Sequence, residues 1–284
     1  MPHPPDFPTI TRAPLLDARH GTRFPAPVHA AQPQLFARAA RYARAALRLV
    51  FFCATLAVVT VDFGLRLWLT GKSRDRRARC DWTSRSARKL MRCVNLRAEY
   101  LGAPPSGGLL VSNHLGYLDI LVLAARQPAV FVSKADVRGW PVLGFLTRLA
   151  GTLFVRRDRR TDVSPLNDRM AALMRTGFVV VVFPEGTSSD GQQVLPFFSS
   201  LLEPAVAGGG PVTPAFIRYE LSDGSVADEV CYWGDMTFGP HFLNLLTKRE
   251  IRAQVRYGDA RPPGQNRKQL ARELQQAVRH LGGV

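Results

Sequence analysis

His114 and Asp119 stand five residues apart in "VSNHLGYLD", residues 111–119, with Gly116 between them. A neutral imidazole takes a proton from an attacking hydroxyl, and a carboxylate on its other ring nitrogen fixes the tautomer and stabilises the imidazolium that forms. No regular element allows that partnership at this spacing. Five residues along a helix turn two side chains apart by about 140°, and five along a strand place them on opposite faces. They meet only if the chain turns between them, with His114 at a strand exit and Asp119 in the first turn of the next helix. Gly116 frees the backbone for that turn. The structural alternative makes Asn113 a turn or cap residue, Asp119 a partner for the helix dipole, and His114 incidental polarity.

A second polar segment is "VVFPEGTSSDG", residues 181–191. Pro184 stops an apolar strand, and Glu185, Gly186, Thr187 and Ser188 follow as a polar turn. Taken alone it reads equally well as plain turn chemistry. In open α/β sheets, however, ligands bind at the carboxyl ends of parallel strands. Two such motifs leaving two apolar strands at one rim converge on a single cleft.

The elements that must position them alternate. Strands are expected at 108–112, 129–133, 152–155, 178–183, 211–217, 229–233 and 251–257, and helices at 117–126, after Pro141, at 165–176, near 198–207 and at the C-terminus. "FVVVVF" at 178–183 has no polar alternation, as expected of a strand covered on both faces. The pattern predicts an α/β fold with a mixed, largely parallel sheet flanked by helices, preceded by an N-terminal membrane-associating helical segment.

Lys and Arg number 38 against 22 Asp and Glu, and residues 1–100 hold 18 of the basic and 6 of the acidic side chains. A basic arm of this kind suits nucleic acid or an anionic membrane surface. Nucleic acid is disfavoured, since the basic stretch 72–97 has Trp82 as its sole aromatic platform. The run Leu49–Val61 lacks charge but is short for a span; extension to Leu69 reaches membrane length and brings in Asp62 and Arg66. Arg38, Arg41, Arg44 and Arg48 precede it, which suits a helix lying over acidic headgroups. Eight prolines in residues 1–33 predict a disordered leader, followed by membrane-associating helices and a basic segment at 34–100 and a catalytic domain at 101–284. The four cysteines show neither CxxC spacing nor a histidine partner, so no metal site is expected.

"NHLGYLD" followed by "FPEGTSSDG" resembles the first and third motifs, NHxxxxD and FPEGT, of the glycerolipid acyltransferase family typified by 1-acylglycerol-3-phosphate acyltransferases. "SKADVRGWPVLGFLTRLAGTLFVRR", 133–157, resembles its second block and "GGPVTPAFIRY", 209–219, its fourth. The resemblance implies that His114 is the general base and Asp119 its orienting partner. It implies that Asn113, Lys134, Arg157, Glu185, Gly186, Thr187 and Ser188 serve substrate binding. The donor it implies is acyl-CoA or acyl carrier protein, with no bound cofactor, and the acceptor is a lysolipid. Membrane association on the cytoplasmic face of the inner membrane goes with it.

One position departs from the pattern: Ser188 stands where the family usually has arginine after FPEGT. An arginine there would be a bidentate partner for an acceptor phosphate. The chain is also similar to ornithine-lipid acyltransferases. Lysophosphatidate is therefore the first acceptor expected and lyso-ornithine lipid the second, with a non-catalytic lipid-binding protein as the remaining alternative. A lipid hydrolase of the GxSxG type is disfavoured because that motif does not occur.

Overall fold

The structure, a computed structural model, describes residues 32–156 and 160–284, with side chains from 36 onward and, after the break, from 164 onward. Most of the expected leader lies outside the described residues. Helix α1 (Gln32–Phe63) continues as a π turn over Gly64–Trp68, and α2 (Arg76–Cys93) follows, capped by Asp75, whose carboxylate accepts from Arg77 and Ala78. Strands and helices then alternate: β1 (Leu96–Leu101), β2 (Gly108–Ser112), α3 (Tyr117–Arg126), β3 (Val130–Lys134), α4 (Pro141–Ala150), β4 (Leu153–Val155), α5 (Arg160–Arg175) and β5 (Val179–Val182). The chain ends with α6 (Glu203–Gly208), β6 (Val212–Leu221), α7 (Val226–Glu229), α8 (Phe238–Thr247), β7 (Ile251–Tyr257) and α9 (Arg267–Gly282).

Among the described residues, seven strands form one sheet in the order β1-β7-β6-β2-β5-β3-β4, parallel at every pairing except β6 with β7. Successive residues of the central strands feed opposite cores. Leu110 and Val181 enter the layer under α3 and α8, whereas Leu109, Val111, Val180 and Val182 enter the layer with α5 and α9. That two-sided burial is why "FVVVVF" carries no polar alternation. β2 and β5 are adjacent and parallel, with Val111 opposite Val182. The two polar motifs therefore leave the sheet side by side, at the same edge.

Three features depart from the sequence pattern. β1 is an edge strand whose Arg97 and Glu99 face solvent, so its alternation carries too few apolar residues to read as a strand; the boundary expected at 100/101 falls at its end. α8 was not expected. Residues 229–233, expected as a strand, instead close α7 and continue as an irregular segment. Val230 and Cys231 are apolar there because they are buried beside α8, and Tyr232 donates its amide to Leu115 rather than to a ladder.

The basic arm has an internal use. Arg44 donates to the Thr247 carbonyl at 2.7 Å, Arg41 to the Thr247 hydroxyl at 2.9 Å, and Arg48 to the carbonyls of Leu246, Lys248 and Arg249. Arg41 thus holds the Thr247 side chain, whereas the Leu246 and Thr247 carbonyls are orphan acceptors at the C-terminus of α8, where cations also meet the negative end of the helix dipole. Arg76, Arg77 and Arg79 do the same for Gly151, Thr176 and Leu149 at the ends of α4 and α5. The arginines ahead of the apolar run were expected over headgroups; Arg41, Arg44 and Arg48 point into the protein.

Farther along α1, Ala45, Leu49 and Phe52 pack on the α3/α8 core, and Val59, Phe63 and Leu67 pack around Trp82. The Trp82 indole N–H donates to the Val59 carbonyl at 3.0 Å, and its ring meets Phe63 edge-on at 5.2 Å. Trp82→Phe keeps most of the packing but loses that bond and some buried area. It should lower stability by about 1–3 kcal/mol in detergent, read from the thermal midpoint against wild type.

Candidate active site

The chain turns between His114 and Asp119 as their chemistry requires. Gly116 sits at φ 152°, and a side chain there would press within 3.0 Å of the Tyr232 backbone nitrogen. Asp119 becomes the third residue of α3, fully buried, and reaches back over the helix start. Its Oδ2 accepts from the Leu115 amide at 2.6 Å, the Gly116 amide at 3.0 Å and His114 Nδ1 at 2.8 Å. The Tyr219 hydroxyl donates to Oδ1 at 2.7 Å. Helix capping and the imidazole contact are thus one structure: the carboxylate that satisfies orphan amides at the positive end of α3 also holds the histidine. An ionised carboxylate can only accept, so in this contact Nδ1 is the donor, which leaves Nε2 as the ring nitrogen free to take a proton from a ligand in the cavity that His114 lines. Phe183 stacks on the imidazole at 4.1 Å and 18°, fixing its plane.

The PEGT turn meets this loop directly. The Ser189 amide donates to the His114 carbonyl at 3.0 Å, the Tyr232 amide to the Leu115 carbonyl at 2.8 Å, and the Ser188 hydroxyl to the Tyr232 carbonyl. Residues 230–232, far from both motifs in sequence, therefore tie them together.

A largely apolar cavity of about 300 Å³ opens at His114. Gly186, Thr187, Ser188 and Lys134 stand on its wall, and it continues between α2, α3 and α4 past Leu90, Ile120, Leu143 and Leu146. Two residues expected to contact substrate lie behind that wall. Asn113 exchanges two hydrogen bonds with the backbone of Ile217, at 2.8 and 2.9 Å, so its amide extends the β2–β6 ladder where the main chain turns away. Glu185 is buried, and neither carboxylate oxygen has a partner in full hydrogen-bond geometry. The amides of His114 and Leu195 lie near enough to favour its charge only in part. Burial pushes the carboxyl up to about 8, with the negative charge of Asp119 adding to the shift. Arg157 lies outside the described residues.

Sequence reasoning missed Tyr219, Tyr232 and His241. His241 is buried; it donates from Nε2 to the Cys231 carbonyl at 3.0 Å and accepts from the Tyr117 hydroxyl at 2.9 Å. Burial lowers its pKa, so it is a neutral link between α8 and α3 rather than a second base. A lone histidine in an apolar helix gave no signal of that contact.

The sequence pattern that defines the acyltransferase family matches residues 95–218, which contain both motifs. The chain is 33% identical over 246 residues to a lyso-ornithine lipid O-acyltransferase of Pseudomonas aeruginosa, covering 83% of this chain and 93% of that relative. The chain belongs to the acyltransferase family. A 1-acyl-sn-glycerol-3-phosphate acyltransferase of Neisseria meningitidis is 36% identical over 115 residues, 40% of this chain and 45% of that relative. The crystal structure of the 1-acyl-sn-glycerophosphate acyltransferase of Thermotoga maritima shares the fold of this acyltransferase. Its TM-score is 0.59 at 19% identity, over 86% of this chain and 98% of that one.

The buried Glu185 has a consequence for stability. From the ordinary carboxylate range near 4.5 up to about 8, the folded protein keeps this proton while the unfolded chain releases it. Stability from this group therefore falls as pH rises through that window, by on the order of a few kcal/mol. Glu185→Gln should flatten the slope, as measured by thermal melts between pH 5 and 9.

Proposed function

We propose that this acyltransferase moves a fatty acyl group from acyl-CoA or acyl carrier protein to the free hydroxyl of a lysolipid, with His114 as general base. The observation that carries the reading is the His114–Asp119 contact at the mouth of an apolar cavity. His114 Nε2 takes the acceptor hydroxyl proton as its oxygen attacks the thioester carbonyl, Asp119 stabilises the imidazolium, and the tetrahedral intermediate collapses with loss of the thiolate. The imidazolium returns the proton to the thiolate. The nucleophile belongs to the acceptor, so no acyl-enzyme is formed. Base catalysis of this kind contributes about 10² to 10⁴ in rate, roughly 3 to 5 kcal/mol. The apolar cavity suits an acyl chain, and the Gly186–Ser188 turn beside the imidazole suits the reacting carbonyl.

Lyso-ornithine lipid is the acceptor best supported, which reverses the order expected from sequence. In sequence, the relative named for it aligns over most of both chains, whereas the sequence relatives named for the phosphate acceptor align over less than half; the solved structure named for that acceptor, at 19% identity, supports the shared fold alone. Ser188, whose hydroxyl is engaged by Tyr232, offers no cation for a phosphate. Lysophosphatidate is the second reading, supported by Lys134 on the cavity wall.

We further propose that the enzyme lies on the cytoplasmic face of the inner membrane, with α1 in one leaflet. The helical stretch Phe36–Trp68 is long and apolar enough to cross a membrane by length and composition. Yet from Arg41 to Leu67, about 40 Å of helix, one face is held to the rest of the protein. Val50, Phe51, Val58, Val61, Leu65 and Trp68 remain exposed for lipid.

His114→Ala should lower turnover by about 10² to 10⁴ or more while membrane association persists, as read by thiol release with a lysolipid present. Offered a mixed lysolipid pool, the purified protein should convert lyso-ornithine lipid ahead of lysophosphatidate. Mass spectrometry showing phosphatidate as the main product would reverse that order.

A further inference from the structure

We infer that Tyr219 is a positioning residue for acyl transfer, acting through Asp119 on His114. The inference rests on the base role proposed for His114. Asp119 is fully buried, and its two oxygens are served unequally: Oδ2 takes two backbone amides and the imidazole, while Oδ1 takes the Tyr219 hydroxyl as its one donor among the described residues. A buried carboxylate oxygen deprived of its donor is destabilised, and the group relieves this by rotating or by holding a proton more tightly. Either response moves the imidazole or changes its readiness to accept a proton.

Tyr219 belongs to the centre of the fold. It lies on β6, the strand that Asn113 clamps beside the same loop, so its hydroxyl is held at one height above the sheet. It is buried and is not among the residues that line the cavity. The titratable groups that face the pair are Cys231 from the segment before α8, Glu185 after β5 and Tyr100 on β1. None of these three is a cation; His114, which touches Asp119 itself, is the one group facing the pair that gains positive charge on protonation. Burial and the neighbouring Asp119 charge push the Tyr219 hydroxyl well above its ordinary value, so it stays a neutral donor throughout the working range.

Tyr219→Phe keeps the ring and removes the donor. Steady-state kinetics across pH should show kcat reduced about tenfold or more, KM for the thioester unchanged, and the acidic limb of kcat/KM displaced to higher pH. A purely structural role would lower the folded fraction and move neither the limb nor the balance of kcat and KM. Replacing Tyr219 by 3-fluorotyrosine, a stronger donor of the same shape, should displace the limb the other way. It also serves if the phenylalanine variant does not fold. A limb that stays at the wild-type position with an unchanged kcat in the folded variant, or a rise in KM alone, would overturn the inference. Wild type and His114→Ala run alongside. A wild type that transfers no acyl group removes the base reading itself, and a Tyr219→Phe enzyme as active as an active wild type removes only the role of Tyr219.

Discussion

One carboxylate carries two duties at the centre of this molecule. Asp119 closes the N-terminus of α3 by accepting the Leu115 and Gly116 amides, and the same oxygen holds the proton-bearing nitrogen of His114. Leaving such a group buried without donors would cost several kcal/mol, so the surrounding chain is built to supply them. Two come from the backbone turn that Gly116 permits, one from the imidazole, and one from Tyr219 on a neighbouring strand. The contact between His114 and Asp119 is thus supported by the requirements of folding, because the carboxylate that accepts the amides at the start of α3 is the one that meets the imidazole.

The sheet supplies the second half of the site by register. Adjacent parallel strands β2 and β5 end together, so His114 and the PEGT turn emerge side by side, and the 230–232 segment bolts one to the other through Leu115 and Ser188. The basic arm contributes in an unexpected way. Five of its arginines cap helices α4, α5 and α8 from within the first hundred residues and Arg41 holds side chains of α8, together fastening α1 and α2 onto the αβ body. Residues of α2 close one wall of the apolar cavity, and the outer face of α1 stays exposed and apolar.

The alternating elements were legible because buried parallel strands are uninterrupted apolar runs and helices show a 3.6-residue period. The pairing of His114 with Asp119 was legible because the spacing allowed contact in only one kind of turn. What was hidden depends on distant contacts. Tyr219 reads as an ordinary strand aromatic, and nothing local reveals the carboxylate beneath it. Val230–Tyr232 reads as a strand because its apolar residues are buried, although its backbone partners lie in the first motif. Asn113 and Glu185 read as ligand contacts because they flank the chemistry, but their side chains face inward, one completing a ladder and the other buried under the His114 loop. Arg41, Arg44 and Arg48 read as headgroup partners because carbonyl acceptors at a helix end two hundred residues away leave no trace in composition.

In the proposed reaction the Asp119 carboxylate, rather than the mere shape of the loop, makes His114 a base. Asp119→Asn separates the two, since an amide oxygen can still accept from Leu115 and Gly116 while the negative charge is gone. Thioester turnover with a lysolipid acceptor, measured at saturating substrate on protein whose melting and membrane association match wild type, should fall by about 10³ to 10⁴. Turnover within a few-fold of wild type would mean that the negative charge of Asp119 is not what activates His114.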